Sequence, residues 1–451
     1  MLRSVFLLVT WLVFVIAGCT APFVFGLGYL WIDFFSPQRI AYEILPSIPI
    51  SLIVGAGAVF GYVLFDRRDP PKLSAGTVLM ILFCIWITMT TTWAEVPEAA
   101  WFKWDWAVKT LGFSIMIPYM FRSRVQIEAS ILVVLSAVLG HVMAVAVKTM
   151  AGGGWYGTGR ALVEAMLGLG ESSNLACVAA ASIPLILVMG KNSILLPKIP
   201  IRRMATGATV FVSVVATVGT FARTGLIALA VLAAVYFWQS KRKIVFVVVG
   251  VGVALGALYF VQDAWYDRMY TIKSFDEENS ALGRIAVWLW TLEYVASHPL
   301  GGGFDVYRIN EYTVPLGEGG ATYTIKAKAF HSIYFEILGE QGIVGAVLFA
   351  LIVLILFKNL RVALVRSRNN PDLAWIADLS RSLLISTVVY LAGGSFIGIG
   401  YQPYLYFVLG LSISLQAYVK RIAINAPVRA HGPTTLGAVP RAISPAARSQ
   451  F

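Results

Sequence analysis

The stretch QIEASILVVLSAVLGHVMAVAVK, residues 126–148, decides the fold class of this chain. It is long enough to cross the roughly 30 Å hydrocarbon core of a bilayer as one helix, which takes about 20 apolar residues. Its acidic and basic residues, Glu128 and Lys148, lie near its two ends. A strand of a membrane β-barrel would instead alternate apolar and polar residues over about ten positions. The stretch therefore predicts a membrane-spanning helix.

Apolar blocks of this kind recur along the whole chain, which is 58% hydrophobic and 13% charged over 451 residues. So few charges cannot cover a soluble protein of this size. The first block contains Pro22 and several glycines, and it forms either one long broken span or two short ones. We predict an all-α, polytopic transmembrane helical bundle of about 12 spans. The blocks are 4–35, 46–65, 74–92, 106–121, 126–148, 174–190, 204–219, 221–238, 244–261, 331–356, 376–399 and 402–419.

Lysine and arginine in the loops predict which side of the membrane is cytoplasmic. One set of loops and chain ends carries 23 Lys and Arg against 5 Asp and Glu, whereas the other set carries 12 against 18. The first set is expected to be cytoplasmic, so the net charge of +12 reflects topology and predicts no nucleic-acid partner. Residues 1–424 are expected to form one transmembrane domain. Residues 425–451, rich in Pro, Ala, Arg and Ser, are expected to form a disordered cytoplasmic tail.

The longest segment between apolar blocks is residues 262–330, on the predicted outer side. A loop of this length in a compact protein usually has a function. From Ile285 to Val295 the apolar residues recur at helical spacing, which predicts an amphipathic helix at the membrane surface. His298 and Pro299 are expected to end this helix.

Four basic residues are candidates for an anion site. Arg223 lies between two apolar blocks, where it either snorkels to the interface or binds an anion with its planar fork. Arg284 is expected near the N-terminus of the surface helix, where it is either solvated or adds its charge to backbone N–H groups that favour anions. Lys326 and Lys328, shortly before His331, either strengthen the same field or are solvated loop lysines.

His331 is the candidate catalytic residue, because it opens a span at the predicted outer face. An imidazole there is water-accessible, and a base with a pKa near neutrality is useful for proton transfer. A second His or acidic residue at metal-ligand spacing from His331 is missing from the sequence. The acidic run 276–278 is more typical of a solvated loop than of a metal site. We therefore expect no metal and no cofactor.

Four motifs resemble those of the O-antigen ligase and polymerase superfamily of bacterial membrane proteins. FHSIYFEILGEQGIVG at 330–345 is similar to its signature of a histidine, an aromatic residue, a glutamate and Gly-Ile-x-Gly. The stretch from GR at 283–284 to PLGGG at 299–303 resembles its outer-loop motif. TFART at 220–224 resembles its Ser-Arg motif, and ESSNLA at 171–176 its Asn-bearing segment.

The resemblance implies a glycosyltransferase at the periplasmic face of the bacterial inner membrane. Such an enzyme moves a glycan from an undecaprenyl-diphosphate carrier to a hydroxyl of an acceptor lipid, protein or glycan, with membrane lipid around it. Two arginines can stabilise the leaving diphosphate without a metal, and a histidine can activate the hydroxyl, so that a single displacement inverts the anomeric centre. The implied catalytic residue is His331, and the implied substrate-binding residues are Arg223, Arg284, Lys328 and Asn174.

Several alternatives stay open from the sequence. A polysaccharide polymerase would use the same donor and the same residues, and only its acceptor would differ. A lipid-linked oligosaccharide flippase would also need arginines that face a diphosphate, but here the charges gather at one membrane face. Ser332 and Ala222 stand where the family usually has Asn and Ser, which leaves the acceptor open.

Two further features bear on the branch of the family and on the sugar. Residues 31–40 resemble the branch called O-glycosylation ligases associated with exosortase systems. Trp288, Tyr307 and Tyr323 are candidate platforms on which a sugar ring stacks.

Overall fold

The computed structural model describes residues 2–42, 44–151, 168–244, 247–248, 250–252, 255, 275–316 and 321–425. Over these residues the chain is a bundle of α-helices with one short β-hairpin. In chain order the elements are α1 (Leu2–Thr20), α2 (Phe23–Phe35), α3 (Pro37–Ile40), α4 (Ile44–Ser47), α5 (Ile50–Phe65), α6 (Ala75–Thr92), α7 (Pro97–Met120), α8 (Arg124–Met150), α9 (Ser172–Asn192), α10 (Arg202–Gly219), α11 (Arg223–Gln239), α12 (Phe275–Ser297), β1 (Glu311–Leu316), β2 (Ala321–Lys326), α13 (Ile333–Ser367), α14 (Ala374–Gly394) and α15 (Pro403–Asn425).

The all-α membrane fold predicted from the sequence is confirmed. Within the described ranges, six helical segments are long and apolar enough to cross a membrane: α1, α6, α8, α9, α13 and a segment that contains α14. α2, α5 and α11 are shorter apolar helices. The other predicted blocks also coincide with helices, except for 244–261, most of which lies outside the described residues. The predicted tail beyond Asn425 lies wholly outside them.

The first apolar block forms two helices with a break between them. α1 ends at Thr20 and α2 begins at Phe23, with Pro22 between them. A proline here removes a backbone hydrogen bond and interrupts the helix. The two helices then pack closely, because Gly18 lies against the ring of Phe25.

α13 is bent where it meets the outer loop. Gly342 has φ 64° and ψ −166°, which interrupts the helix. The Pro299–Gly303 loop fills this break: Ile343 N–H donates to Pro299 O at 2.9 Å, and Gly303 N–H donates to Glu340 O at 2.9 Å. A Cβ on Gly301 would lie 2.4 Å from Gly342 N, so glycine is needed for this close approach. The motif that ends at residues 299–303 and the motif at residues 330–345 are therefore in direct contact.

The helix predicted from the Ile285–Val295 stripe is present, but it begins earlier than the apolar stripe indicated. α12 runs from Phe275 to Ser297, so Arg284 lies well inside it and not near its N-terminus. The expectation that free backbone N–H groups assist Arg284 is therefore wrong. α12 packs on α13 through Trp288, whose ring stacks on Phe335 with centroids 5.0 Å apart.

A β-hairpin follows the helix, and the sequence interpretation did not predict it. β1 and β2 pair antiparallel, with Glu311 opposite Lys326. The hairpin returns the chain to α13, so the end of β2 and the start of α13 enclose the segment that carries Lys328 and His331.

Candidate functional site

His331 lies between β2 and α13 in a strained backbone conformation. Its φ is +47°, which is uncommon for a residue other than glycine. The preceding residue, Phe330, is buried, and its carbonyl accepts a hydrogen bond from Trp288 Nε1 at 2.8 Å. These contacts hold His331 in place, because strain of this kind persists only where the surroundings enforce it.

Arg223 is the first residue of α11, and a second strained residue lies beside it. Phe221 is buried and has φ +57°, and Ala222 N–H donates to Thr220 Oγ1 at 3.3 Å. The Arg223 side chain is exposed at the start of the helix and does not lie in the middle of a span. Backbone N–H groups at a helix start favour anions, so this argument applies to Arg223 and not to Arg284.

Four of the five predicted site residues, Arg223, Arg284, Lys328 and His331, are linked by electrostatic influence. Burial, and then the charge of Arg223, lowers the pKa of the Arg284 guanidinium. Burial and the charge of Arg284 lower the pKa of Lys328. We call Arg223, Arg284 and Lys328 the cationic cluster. Like charges held this close repel one another, so the cluster favours an anion that carries more than one negative charge.

His331 belongs to the field of this cluster. Burial first, then the charges of Arg284 and Lys328, lowers the pKa of its imidazole to about 4. This value is lower than the near-neutral pKa expected from the sequence. The imidazole is therefore neutral at pH 7 and has a free lone pair.

Lys326 does not belong to the cationic cluster. Its Nζ lies 2.9 Å from Glu311 Oε1 across the hairpin, and both side chains are largely exposed. Lys328 is held differently: its N–H donates to Asn310 Oδ1 at 2.9 Å, and Asn310 Nδ2 donates to its carbonyl at 2.7 Å. Of the two lysines, only Lys328 therefore contributes to the predicted field.

A cavity of about 360 Å³ lies beside His331. We call it the first cavity. Asn174, from the start of α9, lines it together with His331 and Tyr307. Asn174 Nδ2 donates to Gly168 O at 2.8 Å, while its buried Oδ1 has no hydrogen-bond partner among the described residues. An acceptor of this kind suits a sugar hydroxyl better than a phosphate oxygen.

The sequence interpretation missed a charged group of four side chains, three of which, Lys103, Asp305 and Glu336, line the first cavity. Lys103 Nζ lies 2.8 Å from Glu336 Oε1, 2.8 Å from Glu340 Oε1 and 3.5 Å from Asp305 Oδ1. Asp305 N–H also donates to Glu340 Oε1 at 2.9 Å, and Gly400 N–H donates to Glu336 Oε2 at 2.8 Å. We call these four side chains the Lys103 cluster. The signal for it was the Glu336 and Glu340 pair, four residues apart on a span, which requires a cation.

The candidate sugar platforms have different surroundings. Trp288 uses its indole N–H and one ring face to hold Phe330 and Phe335, so it stabilises the His331 segment. Tyr307 lines the first cavity, which suits a platform. The side chain of Tyr323 lies outside the described residues.

The fold and the site together define a class: a multi-pass helical membrane protein with a histidine-lined cavity and a cationic cluster that acts electrostatically on that histidine. Residues 208–350 match the O-antigen ligase family, and residues 2–194 match a family of unknown function, DUF5935. The match over residues 208–350 supports the resemblance to the O-antigen ligase superfamily that the motifs predicted. No curated protein matches the chain.

The residues of the candidate site are shared between the two family matches. The cationic cluster and His331 lie inside the O-antigen ligase match, whereas Asn174 lies in the N-terminal match. The family match supports a general activity for this chain: a membrane protein that processes glycans as a ligase or a polymerase. Membership of the exosortase-associated branch stays a prediction.

Proposed function

We propose that this protein moves a glycan from an undecaprenyl-diphosphate carrier to an acceptor hydroxyl at the periplasmic face of the bacterial inner membrane. The observation that carries this proposal is the chain of cations beside one histidine: Arg284 and Lys328 act electrostatically on His331, which lines the first cavity, and Arg223 acts on Arg284. The positive charge of the cationic cluster suits the binding of a diphosphate. The neutral imidazole of His331 beside it can accept a proton as a base. The family match supports the same chemistry.

The transfer is a single displacement. The acceptor oxygen forms a bond to the anomeric carbon while the bond from that carbon to the phosphate oxygen breaks. The electron pair of the broken bond stays on the lipid diphosphate, and the hydroxyl proton moves to His331. The anomeric centre is inverted, and the reaction needs no metal because the arginines take up the developing charge.

The cationic cluster acts on both the diphosphate of the donor and the imidazole of His331. Its guanidinium groups can each bind two phosphate oxygens, and they carry their charge before the substrate arrives. Burial, together with the charges of Arg284 and Lys328, favours the neutral form of His331 in the free protein. When the diphosphate binds, its negative charge offsets the cations, which raises the pKa of His331 and strengthens it as a base.

Two related functions use parts of the same site. A polymerase would share the donor, the cationic cluster and His331, and would differ in the acceptor. A flippase would need a diphosphate site but no base. The strained placement of His331 within the cationic field favours a transferase over a flippase.

The direct test is turnover by the purified protein in lipid nanodiscs. Undecaprenyl-diphosphate glycan is added with candidate lipid, peptide or glycan acceptors, and the products are identified by mass. We expect a transfer product with inverted configuration, formed equally well in EDTA. Movement of the donor across the membrane without any transfer product would identify a flippase instead.

The predicted face needs its own test. A cysteine in place of Thr313, which is exposed on β1, should react with a membrane-impermeant thiol reagent in intact spheroplasts. A cysteine in place of Asp69, in a predicted cytoplasmic loop, should react only after lysis. The opposite pattern would move the site to the cytoplasm.

A further inference from the structure

A cavity of about 600 Å³ lies between α8, α9 and α10, at the other end of α9 from the His331 site. The first turn of α9 carries Asn174, which lines the first cavity, whereas its last turns carry Met189 and Gly190, which line the new one. Asn174 and Met189 are separated by about four helical turns, roughly 22 Å. We call the new cavity the α8–α10 groove, and it is distinct from the candidate site.

The lining of the α8–α10 groove is mostly aliphatic, and no carboxylate contributes to it among the described residues. On α8 the lining extends from Leu132 to Leu139, which is about 10 Å of helix. Two lining isoleucines, Ile199 and Ile201, are 49% and 51% exposed. Apolar surface of this kind, between helices that are apolar enough to cross a membrane, indicates contact with acyl chains. The groove therefore opens toward lipid.

The walls of the groove are fixed by hydrogen bonds to the loop between α9 and α10. Glu128 Oε2 on α8 accepts from Ser193 Oγ and from Ile194 N–H, both at 2.8 Å. Arg202 Nη2 at the start of α10 donates to Met189 O at 2.8 Å and to Ser193 O at 3.0 Å. These bonds join all three helices through one loop, so the groove is formed before any ligand enters.

The mouth of the groove is basic. Lys198, in the loop, and Arg203, on the first turn of α10, are exposed and form no ion pair among the described residues. Other cations at this end of the bundle, Lys191 and Arg124, are paired with carboxylates. Lys198 and Arg203 therefore carry charge that the fold does not use, next to an apolar groove.

This combination selects one kind of occupant. An apolar groove with a basic mouth complements a molecule that has an alkyl chain and an anionic head. Residues 426–451 of the chain itself are a poor fit, because they carry three arginines and no acidic residue: Arg429, Arg441 and Arg448. The loop between α9 and α10 also belongs to the basic set expected to face the cytoplasm, where anionic lipid headgroups attract lysine and arginine.

We propose that the α8–α10 groove binds an anionic phospholipid, with an acyl chain between the helices and the phosphate at Lys198 and Arg203. The lipid fills the space between α8 and α10 at the membrane face opposite the His331 site. This inference goes beyond the proposed function and does not depend on it, because the groove and the candidate site share no lining residue.

The test uses the full-length protein in phosphatidylcholine nanodiscs that contain a trace of photoreactive lipid. The probe is phosphatidylglycerol with a diazirine in its acyl chain, and phosphatidylcholine with the same chain is the comparison. Light should attach phosphatidylglycerol to α8 and α10, as mapped by mass spectrometry, about tenfold more strongly than phosphatidylcholine. Equal labelling by the two lipids would overturn the anionic headgroup.

A charge variant tests the basic mouth. Lys198→Gln combined with Arg203→Gln should lower phosphatidylglycerol labelling by about 10- to 30-fold, since two cations near a lipid surface are lost, and should leave phosphatidylcholine labelling unchanged. Lys241→Gln combined with Arg242→Gln is the matched control, because these exposed cations follow α11 and do not line the groove. An equal loss in both double variants would show a diffuse surface charge and reject the site.

A volume variant tests the groove itself. Ala205→Trp places a ring in the groove and should lower labelling by both lipids about tenfold, since it displaces about two methylene groups of the chain. Ala208→Trp is the control, because Ala208 is also exposed on α10 but does not line the groove. Unchanged labelling in Ala205→Trp would place the lipid elsewhere and overturn the proposal.

Competition identifies the occupant, and none of these measurements needs turnover. Unlabelled phosphatidylglycerol should displace the probe. Displacement by undecaprenyl phosphate and not by phosphatidylglycerol would assign the groove to the carrier chain and overturn the phospholipid. Labelling of the groove in a protein that transfers no glycan would retain the lipid site and reject only the proposed function.

Discussion

Two groups of charges lie at the same end of the bundle, and they differ in how their charge is balanced. The Lys103 cluster joins one ammonium to three carboxylates within 3.5 Å of it. The cationic cluster brings together side chains of one sign: burial and then the charge of Arg223 lower the pKa of Arg284, and burial and then the charge of Arg284 lower the pKa of Lys328. The first group pairs opposite charges within the fold, although Glu340 Oε2 has no hydrogen-bond partner among the described residues, whereas the second gathers charges of one sign. Pairing of opposite charges indicates a structural role, and a group of like charges indicates a site for an anion.

The locations of the two clusters support this distinction. The Lys103 cluster ties α7 to α13 and to the loop that fills the break at Gly342. The cationic cluster instead draws its members from α11, α12 and the segment before α13. Each of the following substitutions therefore changes one cluster and leaves the other in place.

The largest expected effect is on catalysis by His331. His331→Ala should lower glycan transfer by about 10²–10⁴, the usual range for a lost general base. Donor binding should persist, because the cationic cluster remains. The assay measures both transfer and donor binding in the purified protein. His298→Ala is the control, since His298 lies at the end of α12 and stacks on Tyr294.

Glutamine at position 331 sharpens the result, because it can hydrogen-bond but takes no proton at neutral pH. Activity restored by His331→Gln would show that the imidazole only positions a substrate. Full transfer in both variants would show that His331 is structural, and the mechanism proposed above would fail.

The next effect is on stability and should come from the Lys103 cluster. Lys103→Met leaves buried carboxylates without their cation, and breaking a buried ion pair costs about 3–5 kcal/mol. The control is Lys109→Met on the same helix, because the exposed Lys109–Asp105 pair should contribute about 0–1 kcal/mol. Thermal unfolding in detergent should therefore show a large drop for Lys103→Met alone. Equal midpoints for both variants would contradict a structural role for the cluster.

The sequence predicted most of the helices and the residues of the cationic cluster, because both depend on local patterns. Long apolar blocks specify spans by length, and Arg223 and His331 stand in recognisable motifs. The Glu336 and Glu340 pair signals a need for a cation, but the sequence could not identify Lys103 as that cation, because Lys103 and Glu336 are 233 residues apart. The start of α12 was missed because its first turns, at Asp276, are polar and show no apolar stripe.

A third effect concerns the geometry of the cationic cluster. Arg223→Lys and Arg284→Lys keep the charge but lose the planar fork that binds two phosphate oxygens. Each should lower kcat/KM for the lipid-linked donor by up to about 10²–10³, the loss seen when one strong transition-state donor is removed. Matched expression and unchanged thermal midpoints are required for the comparison. Normal turnover in both variants would remove the bidentate role.

The smallest effect is a shift in pH dependence, and it distinguishes two lysines that are close in sequence. Lys328 lowers the pKa of His331, which lies near 4 in the free protein, so kcat/KM should fall only in strongly acidic solution. Lys328→Gln removes a positive charge, which makes protonation of His331 easier and moves this acid limb to higher pH. Lys326→Gln should leave it unchanged, because Lys326 is paired with Glu311 on the hairpin. Acid limbs that move equally in both variants would show that the field at His331 is diffuse, and the cationic cluster would then not be a distinct site.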